Sequence, residues 1–454
     1  MLSLRNIRRV CAAIDTVVLT VIAANLSKFR ARSDLAGPSS AQIPESFPTI
    51  ASCAVAIKKK NSSSSLKVES NLRTSSSTPC DQVAVSEPAL IKIKEERDPE
   101  KLFNLFQSNA SNRLVVENRF AFEDTVSRLA GARRLDLVEQ LLEHQKALPQ
   151  GRREGFIVRI IMLYGKAGMP DHALKTFDQM PLFGCPRTVK SFNATLQILS
   201  QARKFDKVHM LFDDASMKYG IELDEISYNI VVKGLCEMGS LDSAYLLMVG
   251  MEKAGLKPGV VTYTTLMAAA YKSNRREIGD GLWNLMVVKG CSPNLATFNV
   301  RIQYLINRRR GWQANDLMHK MLGTGIKPDE LTYNLIIKGF CMMGELEMAK
   351  RVFYALHGRG CKPNSKIYQT MVHYLCKARE FDIAFRLCKD SMEKNWFPSI
   401  DTIDSLLKGL MEISKDRNAR EIIKLIRGRV PPYPAGELEA FETILSSGRL
   451  KKHL

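Results

Sequence analysis

The sequence predicts an all-α protein, a right-handed α-solenoid of helix–turn–helix repeats of about 35 residues. Two columns of residues carry the prediction. Prolines recur at Pro258, Pro293, Pro328, Pro363 and Pro398, each 35 residues from the next. A column of small residues keeps the same step through Ala244, Gly279, Ala314, Ala349, Ala384 and Ala419. Val138, Ala173 and Val208 continue it upstream, and the step from Val208 to Ala244 is 36. Two unrelated columns that hold one period mark a repeat. The third observation is local. TYNLIIKGFCMMG and ELEMAKRVFYALHGRG each place apolar residues at helical spacing, and Gly344, Gly360 and Pro363 supply the stops. A small residue midway in the second helix lets paired helices approach. A lone hairpin cannot cover its apolar face, so neighbours must stack into a superhelix.

Taken in order, residues 1–32 carry Arg5, Arg8, Arg9, Lys28, Arg30 and Arg32 with one acid, Asp15, around the run VCAAIDTVVLTVIAANL. A basic, acid-poor leader reads as an organelle transit peptide, mitochondrial in preference to chloroplast. A secretory signal and a membrane anchor are the rivals. An anchor needs about 20 apolar residues, and Asp15 interrupts this run, so no membrane span is expected. Residues 33–90, with Ser62–Ser65 and Ser75–Ser77, read as a disordered Ser/Thr/Pro-rich linker in which cleavage is expected before residue 60. Residues 91–118 read as an N-terminal helix or partial repeat, with Asp98–Gln107 amphipathic.

The repeat array is expected over 119–434. Its units are 119–153, 154–188, 189–224, 225–259, 260–294, 295–329, 330–364, 365–399 and a degenerate 400–434. Residues 435–454 read as a basic tail with Arg449, Lys451, Lys452 and His453. No added catalytic domain is expected there.

The chain carries 66 Lys and Arg against 47 Asp and Glu, a net charge of +19. Residues 1–100 hold 14 basic and 10 acidic residues, so +15 of that charge lies in the remaining 354. The excess belongs to the array and favours polyanions by attraction and counterion release. Ten cysteines form no Cys-x-x-Cys pair, and several sit at apolar helical positions. They indicate reduced thiols, with no disulfide framework and no zinc site. The seven histidines make no His-x-Glu with a Cys-x-x-Cys, and no Gly-x-x-x-x-Gly-Lys-Ser/Thr loop occurs. No enzyme, no cofactor and no small-molecule substrate are expected.

The phrase TYN-x-LI-x-G, followed by G-x-L-x-x-A and closed by G-x-x-P-[DN], resembles the pentatricopeptide repeat family. The plain 35-residue form is similar to its P class, common in plant organelles. Tetratricopeptide repeats, at period 34, lack the Pro-Asp/Asn ending. The resemblance implies binding of single-stranded organellar RNA, with each base read by the fifth and last residues of one repeat. A base edge needs a short polar reader, and its faces need apolar or planar neighbours.

Mapped by register, Asn193 with Asp224 implies U, and Asn229 with Gly259 a pyrimidine. Thr264 with Asn294 implies A, Asn299 with Asp329 implies U, and Asn334 with Asn364 implies C or U. Gln369 with Ser399 has no assignment. Glu123 with Arg153 and Val158 with Thr188 do not look like readers. Second-position Ile226, Val261 and Leu331 suit base stacking, whereas Gly155, Lys190, Ala296, Lys366 and Asp401 depart from the apolar pattern. Lys166, Lys272 and Lys377 hold the thirteenth position, where the family places a contact to the RNA backbone. The run Arg308–Arg310 can grip phosphate or simply be solvated. The same residues also have a purely structural reading, because Asp or Asn after Pro is an ordinary helix cap.

Two functions stay open. One is sequence-selective RNA binding in transcript stabilisation, processing, splicing or translation. The other is a protein–protein scaffold, with the ribosome or other RNA-processing proteins as partners.

Overall fold

Most repeats open on a residue whose side chain caps the first helix. Asp224, Asn294, Asp329 and Asn364 have extended backbones, and their side chains accept the N–H of the third helical residue. Thr188 caps the helix Val189–Gln201 in a capping box with Ser191. A buried or half-buried helix start would otherwise leave its N–H groups unpaired. The computed structural model describes residues 88–356, 358 and 360–450, and among them there are helices and no strands. The calls on 1–32 and on most of 33–90 lie outside the described residues. The first described helix is Pro88–Glu95, whose first three residues fall inside the expected linker. Pro99–Ser108 follows, capped by Asp98.

The described residues form two compact bodies, 88–258 and 259–450. In the first body the hairpins pair Arg119–Gly131 with Leu135–Ala147, Glu154–Lys166 with Pro170–Gln179, Val189–Gln201 with Phe205–Asp213, and Glu225–Glu237 with Leu241–Lys253. In the second they pair Val260–Lys272 with Arg276–Val288, Leu295–Asn307 with Gly311–Gly323, and Glu330–Met343 with Leu346–Ala355. Ser365–Lys377 with Phe381–Glu393 and Ile400–Glu412 with Asp416–Arg427 complete that body, before a last helix, Ala435–Leu450. Within each body, the first helix of one hairpin packs on the first helix of the next.

The two columns of the sequence acquire their physical meaning here. The small-residue column is buried throughout: Val138, Ala173, Ala244, Ala314, Ala349, Ala384 and Ala419 are at 0% exposure, Val208 is at 2%, and Gly279 is buried with them. A side chain added at Gly279 would meet the Tyr271 ring at 2.3 Å, so the helices pack too closely there for anything larger. The fourth residue of most first helices, as in Phe192, Tyr263, Tyr333 and Tyr368, is also buried, whereas Tyr228 is half-buried.

Each first helix ends in a left-handed residue with a six-to-one backbone bond. Glu345 N–H donates to Phe340 O around Gly344, at φ 84°. That geometry satisfies the last carbonyls and turns the chain into the second helix.

Candidate nucleic-acid interface

The first helices form a row in each body, and the fifth residue recurs along it. Asn193 and Asn299 sit there with 8% and 7% exposure, so each amide is held almost wholly out of water. Asn193 Nδ2 donates to Asp224 Oδ1 at 3.0 Å. Ser227 Oγ donates to Asn193 Oδ1 at 2.6 Å and accepts the Asp224 N–H at 3.3 Å. The second body repeats this arrangement. Asn299 Nδ2 donates to Asp329 Oδ1 at 3.3 Å, and Thr332 Oγ1 donates to Asn299 Oδ1 at 2.7 Å.

An ionised carboxylate only accepts, so the amide nitrogen must face it. The hydroxyl then fixes the carbonyl end. One amide N–H and one carbonyl lone pair remain for a base edge. Burial alone would raise the carboxyls of Asp224 and Asp329. The bonds from Asn193 and Ser227, and from Thr332 and Asn299, outweigh it and hold both below the usual carboxylate range, so both stay charged. The aspartates still cap their helices, accepting from Ser227 N and Thr332 N at 2.8 Å. Cap and buttress are therefore one group.

The other mapped positions are held differently. Thr264 does not bond Asn294 directly. Its Oγ1 lies 2.8 Å from Thr297 Oγ1, which is 3.0 Å from Asn294 Oδ1, so the buried Thr297 bridges the two. Asn334 Oδ1 accepts from Thr370 Oγ1 at 2.9 Å, while Asn364 caps Ile367 N at 3.1 Å. The third residue of the following repeat is Ile367, which has no hydroxyl to offer, so the donor comes from the sixth residue of that repeat instead. Gln369 Nε2 reaches Phe397 O at 3.4 Å, and Ser399 Oγ meets Thr402 Oγ1 at 2.9 Å, so these two are not paired. Asn229 Nδ2 turns to Glu225 Oε1 at 3.4 Å on its own helix, and Gly259 provides no side-chain cap. Glu123 and Arg153 also separate, Arg153 binding Glu117.

Sequence reasoning missed Ser227, Thr297, Thr332 and Thr370. A signal existed for the first three in the recurring hydroxyl two places before the reader, as in SYN, TFN and TYN.

Second-position Ile226, Val261 and Leu331 are 59%, 59% and 51% exposed. These are large apolar faces held in water, a kind of surface on which a planar ring can stack. Phe120, 85% exposed at the second place of the hairpin 119–147, is a fourth such face that the sequence reading passed over. Gly155, Lys190, Ala296, Lys366 and Asp401 are exposed as well. Lys272 and Lys377 are exposed. Lys166 differs from them in having a partner, its Nζ lying 2.5 Å from Glu123 Oε1. Arg308 lies over the Tyr304 ring and caps Leu295–Asn307, and Arg310 starts the next helix.

Cys341, Cys376 and Cys388 are buried thiols, and desolvation pushes the first two up to about 12. Among the described residues no group of His, Cys, Asp and Glu is placed to hold a metal, and no helix is long and apolar enough to cross a membrane.

Comparison with known proteins adds independent evidence. The model of the PPR repeat family matches residues 223–272, 258–303, 293–342 and 328–373, and a PPR repeat model matches 159–185. The mitochondrial pentatricopeptide repeat-containing protein At1g80150 of Arabidopsis thaliana is 66% identical over 207 residues, 46% of this chain and 52% of that protein. The small ribosomal subunit protein mL103 (rPPR7) of the same plant is 39% identical over 213 residues, again 46% of this chain and 52% of that protein. The mitochondrial pentatricopeptide repeat-containing protein At1g11630, also of Arabidopsis thaliana, is 43% identical over 343 residues, 75% of this chain and 85% of that protein. The first two alignments span about half the length of the relatives they match.

Proposed function

The chain belongs to the pentatricopeptide repeat family, and from that premise we propose that it binds single-stranded RNA in the mitochondrion, reading bases with the fifth residue of successive first helices. It acts by stabilising, processing, splicing or translating a transcript and carries out no reaction of its own. The observation that supports this reading is the recurrence of Asn193, Asp224 and Ser227 as Asn299, Asp329 and Thr332. A helix cap needs the aspartate and nothing more. It does not call for a buried amide one repeat earlier, pinned at both ends. Such an amide presents a donor beside an acceptor, which matches the N3–H and carbonyl edge of uracil.

With the RNA 5′ end at the protein's N terminus, repeats 189–364 prefer U–pyrimidine–A–U–pyrimidine. The names of the relatives support the mitochondrion, with the chloroplast as the alternative compartment. The test is to crosslink the tagged protein in isolated mitochondria and sequence the bound RNA. Purified protein is then titrated with the five-base site and with its A-to-U variant. A shared motif of this form in the crosslinked RNA and a preference for the first oligonucleotide are expected. Equal binding of both removes base reading.

A second reading, a ribosome-associated scaffold, draws on the similarity to a ribosomal subunit protein and on Lys166 being occupied by Glu123. Co-sedimentation with ribosomes that survives nuclease, without a crosslinked RNA motif, favours it.

A further inference from the structure

At the turn from first to second helix, the chain requires a left-handed residue, a backbone that glycine adopts without steric cost. Gly168, Gly239 and Gly344 supply it in three hairpins. Four others place an arginine there: Arg133, Arg203, Arg309 and Arg379, at φ 58°, 56°, 55° and 63°. A long L side chain is a poor choice for this conformation, so the turn itself does not explain the arginines. Ion pairing does not explain three of them either. Arg133, Arg203 and Arg309 are exposed and have no carboxylate within salt-bridge distance among the described residues.

Three of the four stand in hairpins that lack a thirteenth-place lysine. Counting within each repeat, the thirteenth residue is Lys166, Lys272 or Lys377 in three hairpins and Gly131, Gln201 or Asn307 in the hairpins of the three unpaired arginines. In three of the six hairpins without the lysine an arginine stands two residues on, at the fifteenth place; in the other three that place holds Gly239, Gly344 and Ser414. The one hairpin with both spends its arginine on an acid, since Arg379 binds Glu412 at 2.7 Å. That contact also measures reach, because Glu412 is the thirteenth residue of the next hairpin. Lys166, in turn, reaches the fifth-position Glu123 of the hairpin before it. Fifteenth-place guanidinium groups therefore reach the end of the first-helix row that the thirteenth-place lysines occupy.

We propose that Arg133, Arg203 and Arg309 bind RNA phosphates, replacing the lysine that their hairpins lack. The proposal rests on the RNA-binding reading above. A planar guanidinium offers two parallel N–H donors to a phosphate and carries no base information. A cation near a helix C terminus also favours the helix dipole, and the test separates that role.

The full chain is compared with the triple variant Arg133→Gly, Arg203→Gly, Arg309→Gly and with the corresponding triple Lys variant. Each is titrated over a salt series with oligouridylate and with an RNA carrying the U–pyrimidine–A–U–pyrimidine site. Single-strand binding loses a slope of about 0.7 per lost phosphate contact, so the Gly variant's salt slope is expected to shrink by about 2. Affinity falls by the same factor for both RNAs, the unfolding midpoint holds or rises, and the Lys variant keeps the wild-type slope. An unchanged slope in the Gly variant, on RNA that wild type binds, overturns the proposal while the RNA reading stands. A lowered unfolding midpoint with that unchanged slope assigns the arginines to the helix ends. If wild type binds neither RNA, the RNA reading fails and the proposal falls with it.

Discussion

The Ser227 hydroxyl, third in its repeat, donates to Asn193 Oδ1, fifth in the repeat before, at 2.6 Å. The bond crosses a repeat junction, so a residue that never faces a base sets the orientation of one that can. Thr332 and Asn299 keep the same relationship at 2.7 Å.

Thr332→Val keeps the shape and removes the donor. Asn299 is then held only by Asp329 and is free to rotate. The preference for U at the fourth base is expected to fall by up to ~1–3 kcal/mol, the usual size of one base discrimination. Folding stability should drop by about 1 kcal/mol for the lost hydrogen bond. Competitive binding against the four single-base variants, with thermal unfolding beside it, checks both. An undiminished U preference would show that the hydroxyl does not orient the reader.

Thr264→Asn with Asn294→Asp rebuilds the arrangement of Asn193 and Asp224 in a repeat where the hydroxyl of Thr297 already stands ready. Preference at the third base should move from A to U, by ~1–3 kcal/mol. Titration with the site and its A-to-U variant reads it directly. A double variant that keeps the wild-type preference means that the register or the base assignment is wrong.

Lys272→Ala should weaken binding to every sequence alike and lower the salt slope by about 0.7, the signature of one phosphate contact on a single strand. Lys166→Ala should change the slope far less, because Glu123 already holds that ammonium. Equal effects of the two substitutions would mean that RNA displaces Glu123.

The first body encloses a buried ammonium. Lys146 is 1% exposed, and its Nζ lies 2.6 Å from Glu143, with Thr176 and Gln179 at 3.3 and 3.4 Å. Tyr164 also donates to Glu143 at 2.9 Å. Glu143→Ala leaves the charge without its counterion and should cost ~1–3 kcal/mol. That is less than the ~3–5 kcal/mol of a fully buried pair, since Glu143 is partly exposed. Lys146→Met removes the charge itself and should be tolerated much better. Denaturant unfolding of the two variants decides, and the reverse order would show that the pair contributes little.

The period, the hairpins and the seam were legible in the sequence because they depend on spacing along one chain. A residue every 35 positions meets its equivalent neighbour whatever the details, so Ala314, Ala349 and Ala384 were identifiable as a seam before any coordinate, and all three are buried. The amide–carboxylate pairs were legible for a similar reason, since Asn193 with Asp224 and Asn299 with Asp329 follow from register alone. The partners that complete them were not. Whether Ser227 or Thr370 supplies the hydroxyl, and whether Lys166 meets Glu123 or solvent, depends on how closely and at what angle one hairpin lies on the next. Hydrogen bonds are lost over a few tenths of an ångström, a tolerance far finer than a 35-residue repeat encodes. The sequence by itself determined which residues recur and which helices pair. Only the tertiary structure decided which side chains are already engaged and which remain available to a ligand.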